Sequence, residues 1–210
     1  MTDLKIPVGI SDFAKIRKYH YYYVDKTVLI EDLLEKETAE VTLITRPRRF
    51  GKTMGMSMLA NFFDIRRDSQ AMFEGLEIAQ NTALCREWMN RWPVLFLSFK
   101  RVDGLDFGSA YEMLCTVLAE VCVTHGYLQE SARVAPYDKN LLKRIEAGTA
   151  TQVELKNSFV TLTRAMAAHY GKPVILLLDE YDVPIAKASA KGYYAEMLDV
   201  VKGLMQALKD

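Results

Sequence analysis

Residues 41–53, VTLITRPRRFGKT, set a short β-branched apolar run ahead of a basic loop that ends in Gly51-Lys52-Thr53. This spacing predicts a phosphate-binding loop between a strand and a helix. A glycine lets the backbone approach phosphate oxygens with no Cβ in the way. The N–H groups of a helix's first turn, with the positive end of its dipole, favour an anion. Lys52 would neutralise the β- and γ-phosphates as a mobile point charge. The Thr53 hydroxyl would complete a Mg²⁺ shell, which prefers oxygen ligands and retained water. The expected phosphate-binding set is Arg48, Arg49, Phe50, Gly51, Lys52 and Thr53. The general pattern G-x-x-x-x-G-K-[ST] is met except at its first position, where Arg46 replaces glycine and Pro47 stiffens the path.

A second segment, VILLLDE (174–180), supplies the acidic half of the same chemistry. Asp179 would stand at the carboxyl end of its strand, where open α/β sheets bind their ligands. There it would hold Mg²⁺ together with Thr53. Glu180 would orient or deprotonate a water attacking the γ-phosphate, a catalytic role shared with Lys52. Two solvated carboxylates ending a strand have the same local sequence. The functional reading comes from finding both segments in order, each on an apolar run.

These residues need elements to carry them. Buried-type strands are expected at Val41–Thr45, 93–99 and 174–178, with a short strand over His20–Val24. Helices are expected at 26–36, 51–63, 107–124, 138–147, 152–170 and 192–209. A cap at Ser11-Asp12 and a turn at Pro184 punctuate them. On the helix after the loop, Met58, Leu59, Phe62 and Phe63 form the inner face, with Met54, Met56 and Met58 filling gaps. Alternating strands and helices predict an α/β phosphate-loop NTPase fold, three layers around a parallel sheet. Residues 1–36 would form a lead-in packed on a core domain spanning 37–210. Three strands are few for such a sheet, so the remaining core strands are expected after residue 210.

Composition bounds the partners. Half of the 210 residues are hydrophobic, enough for a sizeable core, and 27 basic residues balance 27 acidic ones. Nothing global draws the chain to nucleic acid or to an anionic membrane. Cys85, Cys115 and Cys122 lack metal-ligand spacing and read as buried free thiols of a reducing cytoplasm. The N-terminus lacks the apolar core of a secretory signal, and no run approaches the ~20 apolar residues of a membrane span. One basic loop is too small a patch to predict nucleic-acid binding. Arg48 or Arg49 would act as an arginine finger towards a neighbouring subunit, or only solvate the loop. Lys26 would assist near the site, with Asp25 capping the next helix as the plainer alternative. Asp182 would back up the metal or cap a helix.

IPVGISDFAKIR (6–17), YYYVDKT (21–27), LITRPRRFGKTMGMSML (43–59), PVLFLSF (93–99), ILLLDEYDVPIAKA (175–188) and GYYAEML (192–198) together resemble the bacterial AAA-ATPase-like family. TRPRRFGKT and LDEYDVP are its most specific parts, and the family loop likewise lacks the first glycine. The resemblance implies ATP as the nucleotide. It carries over Lys52, Thr53, Asp179 and Glu180 as site residues, and it sets the lead-in near the nucleotide base. Members often continue into a PD-(D/E)XK nuclease-like domain, so an effector domain or partner beyond residue 210 is expected. On that expectation the chain reads as a fragment, either an ATPase module, a nucleotide-gated switch without turnover, or an inactive piece.

Overall fold

The computed structural model describes residues 5–35, 41–45 and 50–208. The chain divides into two compact units, residues 1–94 and 95–210.

The first unit holds α1 (Phe13–Lys18), α2 (Val28–Leu34), α3 (Lys52–Phe63), α4 (Gln70–Phe73), a 3₁₀ turn over Glu77–Gln80, and α5 (Thr82–Trp88). The Asp12 carboxylate accepts the N–H of Lys15 at 3.2 Å, so the expected cap starts α1. That helix packs on α3. Their joint is aromatic: Phe73 lies 5.0 Å from Phe13 and 5.3 Å from Phe62 between ring centroids. Met58, Leu59, Phe62 and Phe63 are buried as expected, whereas Met54 and Met56 are only half-buried.

The end of α3 is secured from outside the helix. Its last carbonyls have no intrahelical donor. Asn90, in the left-handed region at φ 55°, supplies them. Its amide nitrogen donates to the carbonyls of Asn61 (3.1 Å) and Asp64 (3.0 Å), and its backbone N–H to Phe62 (2.7 Å). The Trp92 N–H reaches the Phe63 carbonyl at 3.1 Å.

Two expected strands are absent here. Residues 41–45 form no strand among the described residues, and Val41 and Leu43 are 55% and 61% exposed. An apolar β-branched run fits a strand only where a ladder partner lies beside it. His20–Val24 is irregular as well. His20 takes φ 51°, and backbone bonds tie the segment down: Tyr21 N–H to the Ile16 carbonyl at 3.0 Å and Tyr22 N–H to the Lys5 carbonyl at 2.7 Å.

The second unit is built on two neighbouring parallel strands, β1 (Val94–Ser98), which begins at the boundary, and β2 (Ile175–Asp179). Six helices accompany them: α6 (Phe107–Thr124), α7 (Pro136–Glu146), α8 (Gln152–Lys156), α9 (Ser158–Tyr170), α10 (Val183–Lys191) and α11 (Tyr194–Leu204). The result is a mixed α/β architecture, mostly helical, and among the described residues the sheet has two strands where three were expected. Leu95, Leu97, Phe99, Leu114, Phe159 and Leu162 are at the heart of its core.

The expected helix 152–170 is broken at Asn157. The Asn157 side chain donates to the Val153 carbonyl at 3.0 Å, a local bond that competes with helix continuation. The expected helix 192–209 is α11 and a 3₁₀ turn, preceded by α10, which Pro184 opens rather than merely turning the chain. By length and composition α6 is apolar enough to cross a membrane, more than the sequence expectation allowed, but Ala110, Leu114, Val117, Leu118 and Val121 are buried in this unit's core. The cysteines carry free thiols; Cys122 is buried, while Cys85 and Cys115 are half-buried rather than fully so.

Asp103 and Gly104 fasten α10 and α11 to the start of α6. Lys191 donates to Asp103 (2.7 Å) and to the Gly104 carbonyl (2.9 Å), which also accepts the Tyr193 hydroxyl at 3.0 Å. A Cβ on residue 104 would lie 2.2 Å from the backbone nitrogen of Ala110, an atom that cannot step aside. Gly104→Ala should therefore destabilise the protein by about 2 kcal/mol or more, measured by denaturant unfolding.

Candidate functional site

The phosphate-loop half lies in the first unit. Gly51 is the N-cap of α3 in the left-handed conformation (φ 79°, ψ 26°), a region costly for any residue with a Cβ. Lys52 and Thr53 are the first residues of this 12-residue helix, both half-buried. They stand at its positive end, among N–H groups that have no acceptor inside the helix. The expected helix after the loop is thus present, although the expected strand before it is not. Arg48 and Arg49, like Arg46 and Pro47, lie outside the described residues. Phe50 is 58% exposed.

The structure brings the Tyr21–Thr27 segment to this loop. Tyr23 donates its hydroxyl to the Met58 sulfur on α3 at 3.3 Å, and its ring meets Phe13 edge-on. Asp25 does not cap α2 directly. Thr27 is the N-cap, without a side-chain cap bond, and the Asp25 carboxylate accepts the Thr27 N–H (2.8 Å), the Thr27 hydroxyl (2.7 Å) and the Glu77 N–H (2.7 Å). Thr27 in turn accepts the Ile78 N–H at 3.2 Å. Between these fixed residues, Lys26 donates from Nζ to the Phe50 carbonyl at 3.3 Å.

The acidic half lies in the second unit. Asp179 is the last residue of β2 and is 3% exposed. Ser98, the last residue of β1, donates its hydroxyl to Asp179 Oδ2 at 3.1 Å. Ser98 was not singled out from the sequence. Its signal was a lone hydroxyl closing the apolar run PVLFLS, legible only once the two strands are known to be neighbours. Glu180 leaves the strand at φ 51°, and its carbonyl accepts the Val183 N–H at 3.0 Å. A non-glycine residue held there carries strain, and such strain clusters at functional positions. Asp182 is the N-cap residue of α10 but makes no side-chain cap bond.

Each unit offers an oxygen donor of the kind that the expected Mg²⁺ takes. Mg²⁺ takes one or two protein oxygens and fills the rest of its shell with phosphate and water. Thr53 and Asp179 are of that kind, and among the described residues no group of three or more His, Cys, Asp or Glu is placed to hold a metal.

Two stability measurements probe these local geometries. Glu180→Gly should relieve the left-handed strain and raise stability by about 1 kcal/mol, read by unfolding in denaturant. Burial pushes the Asp25 carboxyl up. The bonds from Glu77 and Thr27, with the Arg17 charge, outweigh that and hold it below its ordinary 3.8. A lowered folded value means stability that is present above the ordinary value and lost as pH falls through the folded one. Asp25→Asn should therefore melt below the wild type at pH 7, and the gap should close as pH falls below about 4.

A family model described as predicted AAA-ATPase matches residues 7–210. A protein of Azotobacter chroococcum mcd 1, described as an uncharacterized protein in the vnfD 5′ region, is 31% identical over 215 residues. The match covers 100% of this chain and 35% of that protein, so the chain spans about a third of the relative's length. No solved structure matches the chain.

Proposed function

The chain belongs to the AAA-ATPase-like family, and from that premise we propose that it binds ATP with Mg²⁺ and hydrolyses it to ADP and phosphate. The observation that carries this reading is the start of α3, where a left-handed glycine is followed at once by Lys52 and Thr53. A Cβ-free turn, a row of helix N–H donors, an ammonium and a hydroxyl are what a triphosphate tail and its metal require.

Each residue has a distinct task. Lys52 neutralises the phosphate oxygens on which charge gathers as the terminal phosphoryl group departs. The first-turn N–H groups of α3 hold the phosphates without reorganising. The Thr53 hydroxyl and the Asp179 carboxylate are the oxygens that would hold Mg²⁺, and the Ser98 hydrogen bond fixes which way that carboxylate turns. When bound, Mg²⁺ would supply Lewis-acid neutralisation of the phosphates. Glu180 accepts a proton from the attacking water, and its strained backbone fixes where its side chain starts. Arg48 and Arg49 add positive charge to the loop. Coupling of turnover to an effector or nuclease-like domain in a longer protein is part of the same proposal.

The test separates binding from chemistry. Lys52→Ala should weaken Mg-ATP binding or turnover by roughly a hundredfold or more. Glu180→Gln should bind Mg-ATP like the wild type yet lose hydrolysis. Calorimetry and a phosphate-release assay read the two arms. Normal turnover in Glu180→Gln would remove Glu180 from the mechanism, and tight binding with no turnover by the wild type would make the protein a nucleotide-gated switch.

A further inference from the structure

We propose that Lys26 is a second phosphate-binding cation, acting beside Lys52, and that the Asp25-Lys26-Thr27 turn serves to present it. This deepens the ATP-binding reading and rests on it.

Geometry comes first. The Lys26 ammonium donates to the Phe50 carbonyl at 3.3 Å. A Cβ built on Gly51 would meet that same Nζ at 3.6 Å. The charge therefore lies against the backbone that turns into α3, one residue from Lys52. An ammonium carries three donors, so a bond to one carbonyl leaves it able to bind an anion as well. Lys26 is solvent-exposed, so a ligand can reach it.

Electrostatics then argues for an anionic occupant. A cation beside a helix N-terminus meets the positive end of the dipole, which costs stability where an anion would gain it. Lys26 and Lys52 both stand there. Among the described residues no carboxylate pairs with Lys26. Asp25, its sequence neighbour, is committed to Thr27 and Glu77. A triphosphate tail turns this unfavourable concentration of charge into a favourable one.

The turn is built to hold the lysine still. Tyr23, Asp25 and Thr27 are each fastened to an element of the same unit, by bonds to Met58, to the Glu77 N–H and from the Ile78 N–H. A long, flexible side chain gains most from such a base, because less conformational freedom is lost on binding.

A bracing role alone would need only the hydrogen bond to Phe50, which a glutamine can also donate. Lys26→Gln therefore separates charge from bracing. Calorimetry with Mg-ATP, Mg-ADP and AMP, at low and moderate salt, should be run on the 210-residue chain and on Lys26→Gln, Lys26→Arg and Lys52→Ala, each checked by melting. Lys26→Gln should melt like the wild type and bind Mg-ATP roughly ten- to a hundredfold more weakly. Its loss should be smaller for Mg-ADP and absent for AMP, and its binding should depend less on salt. Lys26→Arg should stay within about threefold of the wild type, since it keeps the charge. Wild-type affinity in Lys26→Gln, with binding lost in Lys52→Ala, would overturn this proposal alone and assign Lys26 to bracing. A folded Lys26→Arg that bound as poorly as Lys26→Gln would also overturn it. No Mg-ATP binding by the wild type would overturn both this proposal and the reading beneath it.

Discussion

The carbonyl groups at the end of α3 have no partners within the helix, and the chain recruits Asn90 and Trp92 to supply them. Asn90 takes a left-handed backbone to do so. At the other end, the Phe13 N–H donates to Ser57 on the second turn at 3.0 Å, and Tyr23 reaches Met58. One helix is thus fastened along its length by segments from both sides of it in sequence. The proposed phosphate site, made of helix N–H groups, would be only as precise as the helix that carries them. The lead-in and the Asn90 turn therefore fix the helix on which the proposed site depends.

The second unit solves a different problem. Asp179 is a buried carboxylate at the end of a short parallel pair. A carboxylate held from water needs donors, and Ser98 on the neighbouring strand provides one. Glu180, next in the chain, has to leave the strand direction at once. The left-handed turn does that at a cost in strain, closed by the bond from Val183. Two adjacent carboxylates thus receive different environments from one strand end: Asp179 is buried and hydrogen-bonded, Glu180 half-buried on a turn. That difference is what the proposed division into a metal ligand and a water-activating base requires.

Much of this was legible in the sequence because the signals were local. The Asp12 cap, the apolar face of α3, the span of α6 and the apolar runs of β1 and β2 all follow from patterns shorter than a few turns. The break at Asn157 was missed because the apolar periodicity runs through it; the competing bond involves one side chain and one carbonyl. The strand expected at 41–45 failed for a complementary reason. Its residues have strand propensity, but a strand is a property of a pair. The same holds for Ser98, whose relevance exists only through Asp179, far along the chain.

The sequence by itself determined the chemistry on offer: a glycine, a lysine and a threonine where a helix begins, and two carboxylates where an apolar strand ends. Those are fixed by covalent neighbours, because caps, turns and helix starts depend on residues a few positions apart. Tertiary structure alone decided which distant groups join them. It set Lys26 on the loop backbone, committed Asp25 to the N–H of Glu77, and put the Ser98 hydroxyl on Asp179. Such choices depend on which buried donors and acceptors remain unsatisfied once the core has packed, and no local pattern encodes that balance.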